Sequence, residues 1–161
     1  MKKKYFITIT IVLVIILLDQ FSKLYIDRVM PLHSSITILK NFIHITYIRN
    51  SGIAFGIFAS HAAGLKVIFF LITSIIAILI IFFLLRSLKN TQTSLMVSLS
   101  MIMGGAIGNL IDRVRLGEVI DFIDLHWYSY HWPAFNVADS AITVGGFYLI
   151  VNTIFKKDKN Q

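Results

Sequence analysis

Four apolar stretches, near residues 5–26, 64–85, 93–114 and 136–155, constrain this chain more than any other feature. Each holds about 20 residues, enough to cross a hydrocarbon layer of ~30 Å as a helix rising ~1.5 Å per residue. Lipid offers no water to the backbone, so a spanning segment must satisfy its own amides and carbonyls, as a helix does. Hydrophobic residues make up 57% of the 161 residues and charged residues 14%, where an ordinary soluble domain carries about 25% charged. The expected architecture is an all-α membrane protein: four transmembrane helices with a small extracytoplasmic β-sheet between helices 1 and 2. One polytopic domain covers 1–161, with an outer β-rich segment near 27–63 and a second outer loop near 115–135.

The start of the chain, Met1-Lys2-Lys3-Lys4 before an apolar run, has the form of a secretory signal peptide. It is followed by Asp19-Gln20-Phe21-Ser22-Lys23 with no small-residue cleavage site, so it is expected to stay as the first span. The net charge of +7 sits mainly at segment ends. That suits lipid headgroups and orientation signals better than nucleic acid, which is not expected as a partner. Lys2, Lys3, Lys4, Arg86, Lys89, Lys156, Lys157 and Lys159 fall on one side of the scheme, which places both termini in the cytoplasm. There is no cysteine, which removes disulfides, thiolate metal sites and cysteine nucleophiles.

This topology brings Asp19, Lys23, Asn109, Asp112, Arg113, Asp121 and Asp139 to one level near the outer surface. Charged groups in a membrane are costly and need a partner or a function. Asp19 and Lys23 are four apart with the acid first, the better order for an ion pair on one helix face. In the first outer segment, 36–38 and 42–49 are rich in β-branched and aromatic residues and read as short strands. Asn50-Ser51-Gly52-Ile53-Ala54-Phe55-Gly56 follows, where glycines permit an unusual turn or close backbone approach. His33, His44 and His61 show no ligand spacing, and His126 and His131 lie five apart in a loop. The second helix, with Thr73 and Ser74 as its interior polar residues, reads as lipid-facing scaffold. Gly104, Gly105 and Gly108 let the third helix pack closely. Asn109, Asp112 and Arg113 share its inward face, Asp112 and Arg113 pairing with other groups rather than each other.

Five of the eight acidic residues lie between Gly104 and Ser140: Asp112, Glu118, Asp121, Asp124 and Asp139. Two carboxylates sharing a site resist joint ionisation, so one keeps a proton and the pair can act as general acid and general base. Asp121 as acid and Asp139 as base, beside the N-terminal dipole of helix 4, is one such pairing. Asn136-x-x-Asp139 also fits a helix cap, and Asp121 and Asp124 fit surface acids; on spacing alone the bland reading is the better one. There is no H-E-x-x-H or G-x-S-x-G. A small transporter or an assembly factor with intramembrane charges is the rival class.

Five blocks in register are more specific: Asp19-Gln20-x-x-Lys23, Asn50-x-Gly52-x-Ala54-Phe55, Gly108-Asn109-x-x-Asp112-Arg113, Val119-Ile120-Asp121-Phe122 and Phe135-Asn136-x-Ala138-Asp139-Ser140. Together they resemble bacterial lipoprotein signal peptidase, signal peptidase II, over nearly the whole chain. The resemblance implies an aspartyl endopeptidase of the bacterial cytoplasmic (inner) membrane, with its site near the outer face. It would cut prolipoproteins just before a diacylglyceryl-modified cysteine and be sensitive to globomycin. It implies Asp121 and Asp139 as the catalytic pair, and so chooses Asp121 over Asp124. Asp19, Lys23, Asn50, Asn109, Asp112, Arg113, Asn136 and Ala138 become supporting or substrate-binding positions, and the outer strands a cradle on the membrane surface. Its partners would be lipidated prolipoproteins and membrane lipids; a monomer is expected, with no cofactor and no metal.

Overall fold

The computed structural model describes residues 3–52 and 63–157. Ala54, Phe55, Gly56 and His61 lie outside them. The elements run α1 (Lys3–Val29), β1 (Ser35–Leu39), β2 (Ile43–Asn50), α2 (Ala63–Ser87), α3 (Thr93–Leu116), β3 (Val119–Trp127), β4 (Tyr130–His131) and α4 (Val137–Lys157). All four helices contain a stretch long and apolar enough to cross a membrane.

The third helix is the hub. Half of its apolar window is buried inside the protein, against 6% for α1 and for α2, and it packs on all three other helices. Its small residues make this possible. A Cβ on Gly104 would lie 3.0 Å from Ile15 Cβ, one on Gly105 2.3 Å from the Ala138 carbonyl oxygen, and one on Gly108 2.6 Å from Asp19 Oδ2. In lipid, where apolar burial gives helices little reason to associate, such close approach is a main source of packing energy. Gly105→Ala should therefore force α3 away from α4 and lower stability by about 1–3 kcal/mol, the usual cost of overpacking. Thermal unfolding in detergent checks this, with Gly146→Ala as an unchanged control, since a Cβ there meets nothing within 4 Å.

At one end of the bundle Lys4 donates to the carbonyl oxygens of Arg86 and Leu88 at 2.7 and 3.0 Å, a cation on the free carbonyls that close α2. The sheet covers the other end. Strands β1 and β2 occupy the segment between α1 and α2, as expected. The sheet then continues into β3 and β4, giving an antiparallel order β1-β2-β3-β4. Residues 115–135, expected as a loop, thus supply half its strands. Gly117, at φ 73, ends α3 with its N–H on the Arg113 carbonyl, and this left-handed cap turns the chain into β3. Ile26 and Met30 from the end of α1 pack under Tyr47, Ile120 and Phe122 of the sheet. The Tyr47 hydroxyl bonds Asp27 and accepts from Arg49 Nε, which ties β2 to that helix end. Trp127, Tyr128, Tyr130 and Trp132 stand exposed around the β3–β4 hairpin.

Candidate active site

Three helices and two strands meet beneath the sheet, and their polar groups form two linked clusters. The inner one is centred on Lys23, which is fully buried. Its ammonium lies 2.8 Å from Asp19 Oδ2, 2.8 Å from Asp112 Oδ2 and 2.9 Å from Asn109 Oδ1. Three donors meet three acceptors, so no N–H is left unpaired. The two carboxylates hold backbone groups as well. Asp19 Oδ1 accepts the Ala138 N–H at 2.9 Å, and Asp112 Oδ2 also accepts the Ile120 N–H at 3.2 Å. Asp19 thus holds the first turn of α4 and Asp112 the start of β3, the two elements that carry Asp139 and Asp121. The part played by Ala138 is that of its backbone and its small size, under the close crossing with α3.

The outer cluster is built on Asn136. Its Oδ1 accepts the Asp139 N–H at 2.9 Å, and its own N–H donates to Asp139 Oδ2 at 3.3 Å. This reciprocal pair is a capping box for α4, so the cap reading of Asn136-x-x-Asp139 is correct as local structure. The same residues do more than cap. Asn136 Nδ2 donates to Asp121 Oδ1 at 2.7 Å, while Asn109 Nδ2 donates to Asp139 Oδ1 at 2.7 Å. Asn50 Nδ2 reaches Asp121 Oδ2 at 2.9 Å, and Asn50 Oδ1 accepts the Gly52 N–H at 2.8 Å. Gly52 needs to be glycine: its φ is +80, and a Cβ would strike the Phe70 ring at 2.4 Å.

Asp121 and Asp139 are thereby held on either side of one asparagine, and they interact electrostatically. Burial pushes the Asp121 carboxyl up to about 6, and the nearby Asp139 charge adds to the rise; the hydrogen bonds from Asn50 and Asn136 oppose it. Asp124 is placed elsewhere. Three residues along β3 from Asp121, it projects from the opposite face of the strand and pairs with His131, whose Nδ1 is 2.9 Å from Asp124 Oδ1.

Two residues join the site that the sequence did not single out as site positions. Gln20 Nε2 lies 3.1 Å from Asp19 Oδ2, Asp112 Oδ1 and the Gly108 carbonyl; its place beside Asp19 in the first block was the available signal. Ser74 Oγ accepts from Arg113 Nη1 at 3.3 Å, and the guanidinium lies over the Phe70 ring. The second helix is therefore not scaffold alone. Asp112 and Arg113 do not pair with each other: Asp112 goes to Lys23 and Arg113 to Ser74.

Clefts open around the pair. One of about 320 Å³, between α2, α3 and α4, has Asp139, Asn109 and Arg113 in its wall with Phe70, Ala77 and Ile142. A second of about 420 Å³ runs from Asp139 past Thr143 and Val144 to Leu125 and Trp132. A third of about 330 Å³ joins Asp121 to Asn50, Ser51 and Arg49. The aspartates thus stand where polar and apolar surfaces meet.

Residues 11–155 match the family described as Signal peptidase (SPase) II. The chain is 48% identical over 154 residues to the Lipoprotein signal peptidase of Geobacter sulfurreducens, covering 96% of this chain and 95% of that protein. It is 42% identical to the protein of the same name from Syntrophus aciditrophicus, over the full length of both. It also superposes on a bacterial membrane enzyme solved by the in meso method at 2.3 Å resolution, with a TM-score of 0.83, 33% identity and coverage of 96% and 91%. A second bacterial membrane enzyme, solved in the same way at 1.9 Å, gives 0.81 at 34% identity over 91% of each chain.

Proposed function

The chain belongs to the signal peptidase II family, a multi-pass membrane peptidase that processes prolipoprotein signal peptides, and from that premise we propose that Asp121 and Asp139 make the cut. The observation that carries the proposal is the pair of carboxylates held through Asn136, one of them with its pKa raised to about 6. Asp121 keeps the proton and donates it to the scissile carbonyl oxygen. Asp139 takes a proton from water, whose oxygen bonds the carbonyl carbon. As the tetrahedral intermediate collapses, Asp139 returns its proton to the leaving nitrogen and Asp121 recovers one from the diol. Water is consumed, no acyl-enzyme forms, and the pair ends as it began. The two groups share one proton, so the acid and base labels belong to the pair.

The surroundings suit a lipid-anchored substrate. A diacylglyceryl cysteine stays in the bilayer and offers its scissile bond at headgroup level. The apolar cleft that runs from Asp139 past Val144 to Leu125 and Trp132 takes acyl chains and signal-peptide residues, and the cleft beside Asp121 takes the emerging chain. Arg113, Asn50, Asn109 and Asn136 orient carbonyl and ester oxygens. The sheet end faces outward across the cytoplasmic membrane, with the Lys4 and Arg86 end inward. The exposed Trp127, Tyr128, Tyr130 and Trp132 sit in the interface, where amphipathic rings are favoured.

Cleavage of a lipobox peptide in detergent tests this, comparing the diacylated peptide with its unlipidated form. The lipidated peptide should be cut before its cysteine and the other left largely whole; equal cleavage would contradict the lipid-anchored reading. Asp124→Asn should keep most of the activity, because its side chain faces away from Asp121. The pH profile follows from the raised pKa. The proton needed on Asp121 is present below about 6 and lost above it, so kcat/KM should fall as pH rises through that value.

A further inference from the structure

On the sheet face opposite Asp121, strand register gathers residues that the sequence kept apart. His44 and Asp124 are direct cross-strand partners between β2 and β3. His126 follows Asp124 by two positions and shares its face. His131 on β4 is the cross-strand partner of His126. We propose that His44, Asp124 and His126 bind a divalent transition-metal ion of the zinc class on the outer sheet, with His131 positioning the carboxylate.

The ligand atoms of the three residues all lie within 4.8 Å of one another, with His44 Nδ1 3.6 Å from Asp124 Oδ2. Tetrahedral coordination with bonds of ~2.0–2.1 Å sets neighbouring donors about 3.3 Å apart, so modest side-chain rotations close the set. His126 supplies a second, independent sign. It is 8% exposed, and its buried Nδ1 has no hydrogen-bond partner. A buried nitrogen left unpaired forfeits its solvation without return, and a bond from it to an ion removes that cost. The His131 contact with Asp124 explains the carboxylate but not His126, whose ring lies 4.2 Å from that of His44 and 4.6 Å from that of His131, centroid to centroid.

Two imidazoles and one carboxylate form a donor set for zinc and its first-row neighbours; calcium and magnesium take oxygen ligands. His131, with Nδ1 2.9 and 3.0 Å from the two Asp124 oxygens, fills the outer-shell place that fixes a ligating carboxylate. The side chains of His44 and Asp124 are 25% and 14% exposed, which leaves an approach from solvent and a fourth position for water. The site does not touch the aspartate pair, and its occupancy is independent of the peptidase reading.

The test uses the full chain in detergent, free of affinity tag and chelator-stripped, titrated calorimetrically with Zn²⁺. One equivalent should bind, Co²⁺ should give the visible absorption of tetrahedral coordination, and the ion should raise the melting temperature. His131→Ala should weaken binding about 10-fold, as expected for an outer-shell partner. His44→Ala and His126→Ala should weaken it further, and His44→Ala serves alone if His126→Ala does not fold. Asp121→Asn should bind as the wild type does. Absence of binding, binding unaffected by His44→Ala, or binding lost in Asp121→Asn each overturns the proposal; the last would move the ion to the aspartates.

Discussion

Purified Asp121→Asn and Asp139→Asn proteins should insert and fold normally yet cut a diacylated lipobox peptide at least about a thousand-fold more slowly, within the 10²–10⁴ range of positioned acid–base groups. Asparagine keeps size and hydrogen-bonding capacity but can neither hold nor exchange the proton. For Asp121→Asn the stability change has a defined sign. The folded chain holds a proton on Asp121 up to about pH 6, above its ordinary 3.8. Folding is therefore favoured by this group at low pH and loses that support as pH rises from about 4 to about 6, where a buried charge must be carried. An amide carries none, so above pH 7 the inactive variant should melt at the wild-type temperature or higher. A folding or membrane-insertion defect large enough to explain the lost activity would argue for a structural role instead. A transporter would lose flux and accumulate no uncleaved precursor.

The second large effect concerns Lys23. Lys23→Met should cost about 3–5 kcal/mol, because removing one partner leaves buried charge uncompensated. Asp19 and Asp112 would both lose their cation at zero exposure. Activity should fall with stability, since Asn109 Oδ1 loses its contact with the ammonium and its Nδ2 is what holds Asp139. Unfolding in detergent at neutral pH reads the first effect. Adding Asp112→Asn to Lys23→Met should recover part of the loss by removing one stranded charge. No recovery, or a single variant as stable as the wild type, would mean that Lys23 does not neutralise this pair.

Much of this was legible in the chain itself. Hydropathy and length located four helices, and the four-residue spacing of Asp19 and Lys23 located their ion pair. Alternation found β1 and β2. What escaped was non-local. Strand β3 carries acids within an apolar run beside a helix end, and its partner β2 lies about seventy residues earlier, as Asn50 and Asp121 illustrate. Missing that strand also hid two consequences of its alternation: Asp121 and Asp124 face opposite ways, and His44, Asp124 and His126 converge. Ser74 escaped because a helical serine ordinarily bonds its own backbone. It does so here to the Phe70 carbonyl at 2.7 Å, while also meeting Arg113. Asn136 is a helix cap and a bridge between the Asp121 and Asp139 carboxylates at once, and pattern alone reads only the cap.

Isotope-edited infrared titration of the aspartate carboxyls, in wild type and in the two single variants, measures the shared proton directly. Wild type should show a protonated carboxyl that titrates near pH 6, is missing in Asp121→Asn, and titrates at lower pH in Asp139→Asn, where the neighbouring charge is gone. A band that survives in Asp121→Asn, or whose midpoint ignores Asp139, would contradict the pair.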